Sequence, residues 1–267
     1  MSTKDKTAIG AVPRCGLAGA LLLGCVSCVA LAATLTAAEP AYLIPTHGRS
    51  ALLPRTQQLI ADKKPVRVVL YGDSISEVKK GWNGGAERPE SNWGAVLVQR
   101  LADAYPGSAF TIQHFAVGGQ NSYEGLGRLG YLEPFKPDLV LVAFGANDCG
   151  YHYLIPEETK FALTTLATEI RKRFGADVIL VGSGGDNPLK PFFKHLDETV
   201  KAQREAAREA KALFVDMRAA VLTATEHGKR WAEFHFNEGN CHPTDKGHVV
   251  WAEAAFRCIQ ELLKQQP

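Results

Sequence analysis

The chain has 267 residues, 46% of them hydrophobic and 22% charged, with 30 basic against 28 acidic side chains. That length supports one sizeable core, and nothing resembles the basic stripe that nucleic-acid binding requires, so no nucleic-acid partner is expected. The slight positive excess belongs to the first 38 residues, where Lys4, Lys6 and Arg14 face only Asp5; beyond them the two signs are equal in number.

Residues 1–38 run from that basic start through the uncharged stretch "CGLAGALLLGCVSCVALAATLTAA" to Glu39-Pro40. Basic start, apolar middle and small residues before a cleavage point are the order of a secretory signal. Cleavage near Ala38 and a single exported domain over residues 39–267, periplasmic or extracellular, are expected. The run is also long enough to stay as a membrane anchor, and "LLGC" ending at Cys25 loosely resembles a lipoprotein box. No stable membrane partner is expected unless the leader is retained or lipidated.

Five short β-branched or aromatic segments follow: Val66–Tyr71, Phe110–Ala116, Leu139–Phe144, Val178–Val181 and Leu213–Val215. Amphipathic segments separate them. In "NWGAVLVQRLADAY", Leu97, Val98, Leu101 and Tyr105 share a helical face. "IPEETKFALTTLATEIRKRFG" has Pro156 in its first turn, acids behind it, basic residues near its end and Gly175 to stop it. A last helix opening near Thr244 would place Val249, Ala252, Phe256, Ile259 and Leu263 on one face. Strands alternating with helices predict a three-layer α/β/α domain around a five-stranded parallel sheet.

On such a sheet the loops that follow the strands share one rim, where ligands bind. The first strand delivers "YGDSISE" with Ser74, the second "FAVGGQNS" with Gly118-Gly119, and the third "FGANDCG" with Asn147; "NEGNCHPTDKGH", with His242, stands before the last helix. Singly, each has an ordinary role. A serine after a strand caps the next turn, Gly-Gly makes a turn, and Asn-Asp fills a loop. Together they supply a nucleophile, a backbone donor, an amide donor and a base, the set that acyl transfer from an ester needs.

These residues resemble the SGNH hydrolase family, the GDSL-type esterases and lipases. "GDSIS" is similar to its first block, "GGQNS" to its second with Gly119 as the glycine, "GAND" to its third at Asn147, and "HPTDKGH" to its fifth at His242. The resemblance runs from about Val66 to His248. It implies a flavodoxin-like fold with an open site and no metal or other cofactor. Ser74 would be the nucleophile, His242 its base, and the Ser74 and Gly119 N–H groups with the Asn147 amide the oxyanion hole. The scattered histidines show no paired ligand spacing, in keeping with that.

The chain departs from the family where an aspartate usually stands three residues before the histidine, because here that position is Gly239. Glu238 is the candidate replacement; the other is a backbone carbonyl that would leave a Ser-His dyad. Bringing Asn147 and His242 to Ser74 would also bring Cys149 near Cys241, and export permits oxidation, so a Cys149–Cys241 disulfide is expected, with Cys258 a buried thiol. Trp82 in the long loop after Ser74, and Tyr151 and Tyr153 after Asn147, are candidates for stacking on sugars. The expected substrate is a small-molecule or polysaccharide ester with a short acyl group, acetyl above all. An O-acyltransferase and a catalytically silent carbohydrate binder are the alternatives.

Overall fold

The computed structural model describes residues 52–78, 89–152 and 154–264. The export leader expected over residues 1–38 lies outside them, as do Trp82 and Tyr153. Among the described residues no helix is long and apolar enough to cross a membrane.

All five expected segments are strands: β1 Val66–Gly72, β2 Phe110–His114, β3 Leu139–Ala143, β4 Asp177–Val181 and β5 Leu213–Val215. They form one parallel sheet in the order β2-β1-β3-β4-β5. Alternate residues of the central strands feed two cores. Val68, Leu70, Leu139 and Leu141 face one side, and Val69, Tyr71, Val140 and Val142 face the other. A sheet covered on both faces reads as an unbroken apolar run, which is why these strands stand out in the sequence.

Helices α2 (Trp93–Ala104), α7 (Met217–Ala224) and α8 (Asp245–Lys264) pack on the first face; α5 (Pro156–Phe174) and α6 (Leu196–Glu209) pack on the second. The remaining helices are short: α1 (Pro54–Ala61), α3 (Ser122–Gly127) and α4 (Ala146–Gly150). Helix α5 starts and stops where its sequence says, with Pro156 at the first position, Glu157 and Glu158 in the first turn, and Gly175 closing it at φ 62°.

The inward face of α8 is broader than the expected one and leaves out Val249. Val249 is 44% exposed, while His248, Trp251, Ala255, Cys258 and Leu262 are buried with Ala252 and Ile259. The stripe is wider because alanines and Trp251 fill the narrow gap beside Trp93, whose ring centroid lies 5.8 Å from that of Trp251. Phe256 and Leu263 are partly buried and still pack against the core, so of the expected residues Val249 alone falls off the face.

The order β2-β1-β3 reverses direction between β1 and β3, and open α/β sheets bind ligands at that switch point. Two observations fix the rim there. A Cβ on Gly72 would lie 2.5 Å from the Ala143 carbonyl oxygen, so only glycine lets β1 and β3 approach. Past the strand ends, Asp73 N–H still donates to Ala143 O at 3.3 Å and Val117 N–H to Gly72 O at 3.0 Å. The loops carrying Ser74 and Gly119 are extensions of the sheet ladder.

Candidate active site

Ser74 follows β1 directly and is 7% exposed. Its loop is held from below. Asp73 Oδ1 accepts the Ile75 N–H at 3.0 Å, the Asn92 amide donates to Ser76 O at 3.1 Å, and the buried Trp93 indole donates to Ser76 Oγ at 3.2 Å. Trp93 is thus a packing residue that steadies the nucleophile loop.

The next two loops are tied to each other. Asn147 Nδ2 donates to Gln120 O at 2.9 Å, leaving its second amide hydrogen for the cleft. Asp148 accepts the Ser122 N–H at 3.1 Å and, more closely, the Ser122 hydroxyl. His152 Nε2 donates to Gly119 O at 3.1 Å, which makes its Nδ1 the acceptor for the Asn121 amide at 3.0 Å. Gly119 sits at φ +80°, a conformation that suits glycine. Neither the Ser74 nor the Gly119 N–H is taken by a hydrogen bond among the described residues.

His242 arrives from a different direction. The loop before α8 doubles back on the 3-10 turn Trp231–Glu233. Trp231 Nε1 donates to Asn240 O at 2.8 Å, Phe236 N–H to His242 O at 3.3 Å, and Thr244 N–H to Phe234 O at 2.8 Å. This puts His242 Nε2 at 2.8 Å from Ser74 Oγ.

On the far side of the imidazole stands Asn240. Its Oδ1 takes the His242 backbone N–H at 2.7 Å and His242 Nδ1 at 2.8 Å. A backbone N–H can only donate, so the atom opposite it is an oxygen, and Nδ1 facing that oxygen must carry the proton. Nε2 is left with a lone pair aimed at the Ser74 hydroxyl. Burial lowers the His242 pKa to about 4, so the ring is neutral and ready to accept a proton at ordinary pH.

Ser74, Gly119, Asn147, Tyr151 and His242 line one open cleft of about 570 Å³. Glu77 lines it too, and its carboxylate occupies space that a side chain at Gly118 would fill. A serine hydroxyl in contact with a neutral imidazole, with two backbone N–H groups and an amide in the same cleft, is an arrangement that can carry out acyl transfer.

A model described as the GDSL-like lipase/acylhydrolase family matches residues 70–250. The chain belongs to that family. Its expected class, carboxylic ester hydrolase, is the class of the family. Among curated proteins none matches.

Solved structures share the fold. A two-domain esterase described as active on acetylated mannans is 18% identical, with a TM-score of 0.64 over 80% of this chain and 54% of the other. An acetylxylan esterase from Geobacillus stearothermophilus is 22% identical, with a TM-score of 0.59 over 73% of this chain and 94% of the other. TesA is 24% identical, with a TM-score of 0.58 over 73% of this chain and 99% of the other. This chain spans about half the length of the two-domain esterase.

Two expectations about the site fail. Glu238 does not hold the histidine. Its carboxylate accepts the Asn187 amide at 2.8 Å, and the imidazole's partner is neither an acid nor a backbone carbonyl but the Asn240 side chain. The sequence did carry a signal for this. Asn side chains commonly bond the backbone two residues on, and in "NCHP" that residue is His242.

The Cys149–Cys241 disulfide is not formed either; both are thiols. Cys149 Sγ turns back along its own helix to Gly145 O at 3.2 Å, and Cys241 Sγ lies 3.8 Å from His242 Nδ1. Burial pushes both thiol pKa values up. The two thiols face different partners.

Proposed function

We propose that the protein is a serine esterase acting on short acyl esters, acetyl above all, carried on carbohydrate, and that it works after export. The reading rests on one contact, Ser74 Oγ to His242 Nε2 at 2.8 Å, with the tautomer fixed by Asn240.

In this mechanism the Ser74 hydroxyl attacks the ester carbonyl as its proton passes to His242 Nε2. The tetrahedral oxyanion is met by the Ser74 N–H, the Gly119 N–H and the spare hydrogen of the Asn147 amide. The imidazolium stays anchored through Nδ1–H to Asn240, then returns the proton to the departing alcohol. A water molecule deprotonated by the same nitrogen attacks the acyl-enzyme, and the second collapse frees the acid and restores Ser74. Because Asn240 carries no charge, it orients the ring without stabilising the imidazolium as a carboxylate would.

The cleft walls support a short acyl group. Among the described residues lining it, Val117 is the one aliphatic side chain, whereas Glu77, Asn147 and His152 are polar. A long acyl chain would find one aliphatic side chain to pack against among them. Two of the structural relatives are described as acting on acetylated mannans and acetylxylan, which favours the carbohydrate half of the reading.

The test is hydrolysis of aryl acetate, butyrate and octanoate by wild type and Ser74→Ala, beside acetate release from acetylated polysaccharide. Activity should fall with acyl length and vanish in a folded Ser74→Ala protein. Turnover retained without the hydroxyl would refute the nucleophile, and octanoate as the preferred ester would refute the short-acyl reading.

A further inference from the structure

A second cavity, about 190 Å³, opens beside the catalytic cleft and shares two walls with it, Tyr151 and His242. Its other walls include Phe192, Phe193 and Asp186. It lies on the Asn240 side of the imidazole, away from Ser74. It is smaller than the ~300–1,000 Å³ typical of pockets for drug-sized ligands, so it suits one ring-sized group.

The aromatic wall is built and then left open. Asp186 Oδ2 accepts the N–H groups of both Phe192 and Phe193, the latter at 2.6 Å. That turn sends the two rings different ways. Phe193 tucks under Gly150, where a Cβ would lie 2.7 Å from its ring, and packs against the core. Phe192 is left 55% exposed beside Tyr151, 59% exposed, their centroids 5.7 Å apart. Adjacent large rings held in water at the mouth of a cavity mark a contact surface. Below them Asp186 is only 4% exposed, and its Oδ1 has no hydrogen-bond partner among the described residues.

We propose that this cavity is a second saccharide subsite, taking the sugar next to the one that bears the ester. This rests on the carbohydrate-esterase reading of the cleft. The alcohol leaves from Ser74 with a proton from His242, so the sugar carrying it lies against the imidazole. A glycan continuing past the imidazole meets Tyr151, the shared wall, and then Phe192.

The chemistry of the walls suits that occupant. A pyranose offers a flat C–H face to an aromatic ring and hydroxyl donors to a carboxylate, the two surfaces the cavity presents. A fatty acyl chain would cover Asp186 Oδ1 without offering it a hydrogen-bond donor. Arg218 donates to the Asp186 carbonyl at 2.6 Å, so the cavity lies beside a cation as well as an anion and suits a neutral polyol better than an ammonium group.

The experiment compares kcat/KM on aryl acetate with that on acetylated xylose, xylobiose and xylotetraose, for wild type, Phe192→Ala and Phe192→Trp. Wild type should gain about tenfold from monosaccharide to disaccharide, the value of one good ring contact. Phe192→Ala should lose that gain relative to its own rate on aryl acetate, and Phe192→Trp should keep it. A gain that survives Phe192→Ala, or no gain with chain length, overturns the subsite alone. Hydrolysis of aryl acetate with none of any sugar acetate overturns the carbohydrate reading with it.

Discussion

Ser74 and Gly119 stand on loops that leave β1 and β2, and Asn147 in the short helix α4 after β3, all bonded to the sheet or to one another, whereas His242 stands on a loop that leaves no strand and is held by local turns. The two sides differ in charge as well. Beneath Ser74 lie the buried carboxylates Asp73 and Asp148; around the half-buried His242 lie the buried histidines His235 and His248, with no carboxylate bonded to the His242 ring among the described residues. One half is placed by tertiary structure and the other by its own sequence neighbours, so substitutions in them should fail in different ways.

The largest effect is expected from the base. His242→Ala should lower kcat by ~10⁴–10⁶, since removing the base of such a pair removes most of the chemistry. On the sheet side, Asn147→Ala should lower kcat by ~10²–10³ with little change in KM, the usual loss for one oxyanion donor. Steady-state kinetics on an aryl acetate separates them. A change confined to KM in Asn147→Ala would make Asn147 a substrate-binding or turn residue.

This division also decides what the sequence revealed. β1, β3 and β4 are legible because a doubly covered strand is a continuous apolar run, and the strand ends then locate Ser74 and Asn147. His242 is legible as a residue type before the last helix, but its partner is not. The expected acid was sought at a fixed spacing, and Glu238 fell nearest. Which side chain of a short loop meets an imidazole depends on turn geometry, and Asn240 wins because its Oδ1 caps the His242 backbone N–H. Helix α6 was less legible for a related reason. Its buried positions include Ala202, Ala206, Ala207, Thr199 and Gln203, and small or polar residues leave a faint apolar pattern. Gln203 has a positional task, bonding Phe144 O at 2.6 Å and the Ser183 N–H at 2.9 Å to clamp the ends of β3 and β4.

A sharper test of the base half separates Asn240 from Glu238. Asn240→Ala should reduce kcat by less than the ~10²–10⁴ that a positioned acid-base group contributes, because the base remains and only its tautomer and angle are freed. Glu238→Gln should leave kcat nearly unchanged. Asn240→Asp should act on the pH profile: a carboxylate beside the ring favours its charged form and raises the His242 pKa above its value of about 4. The acid limb of kcat/KM therefore moves to higher pH in Asn240→Asp. An unmoved limb, or a loss in Glu238→Gln equal to that in His242→Ala, would return the orienting role to Glu238.

The smallest effect lies in stability, where the two halves should respond to pH with opposite sign. His248 is fully buried, neither ring nitrogen has a hydrogen-bond partner among the described residues, and burial lowers its pKa to about 4. Between pH 4 and the ordinary histidine value of 6.5 the unfolded chain binds the proton more readily, so its contribution is complete above 6.5 and lost on acidification toward 4. Asp73 is the reverse. Burial, reinforced by the nearby Asp148, raises its pKa from 3.8 to about 7, so between those values the folded state holds the proton more tightly. Its contribution is complete below 3.8 and lost as pH rises through 7. Neutral replacements isolate each slope. Urea unfolding of Asp73→Asn should show its stability relative to wild type improving as pH rises from 4 to 7.5, while that of His248→Leu improves as pH falls from 6.5 to 4. A flat difference for either variant would mean that its group keeps its ordinary pKa in the fold, and the electrostatic contrast between the halves of the cleft would be lost.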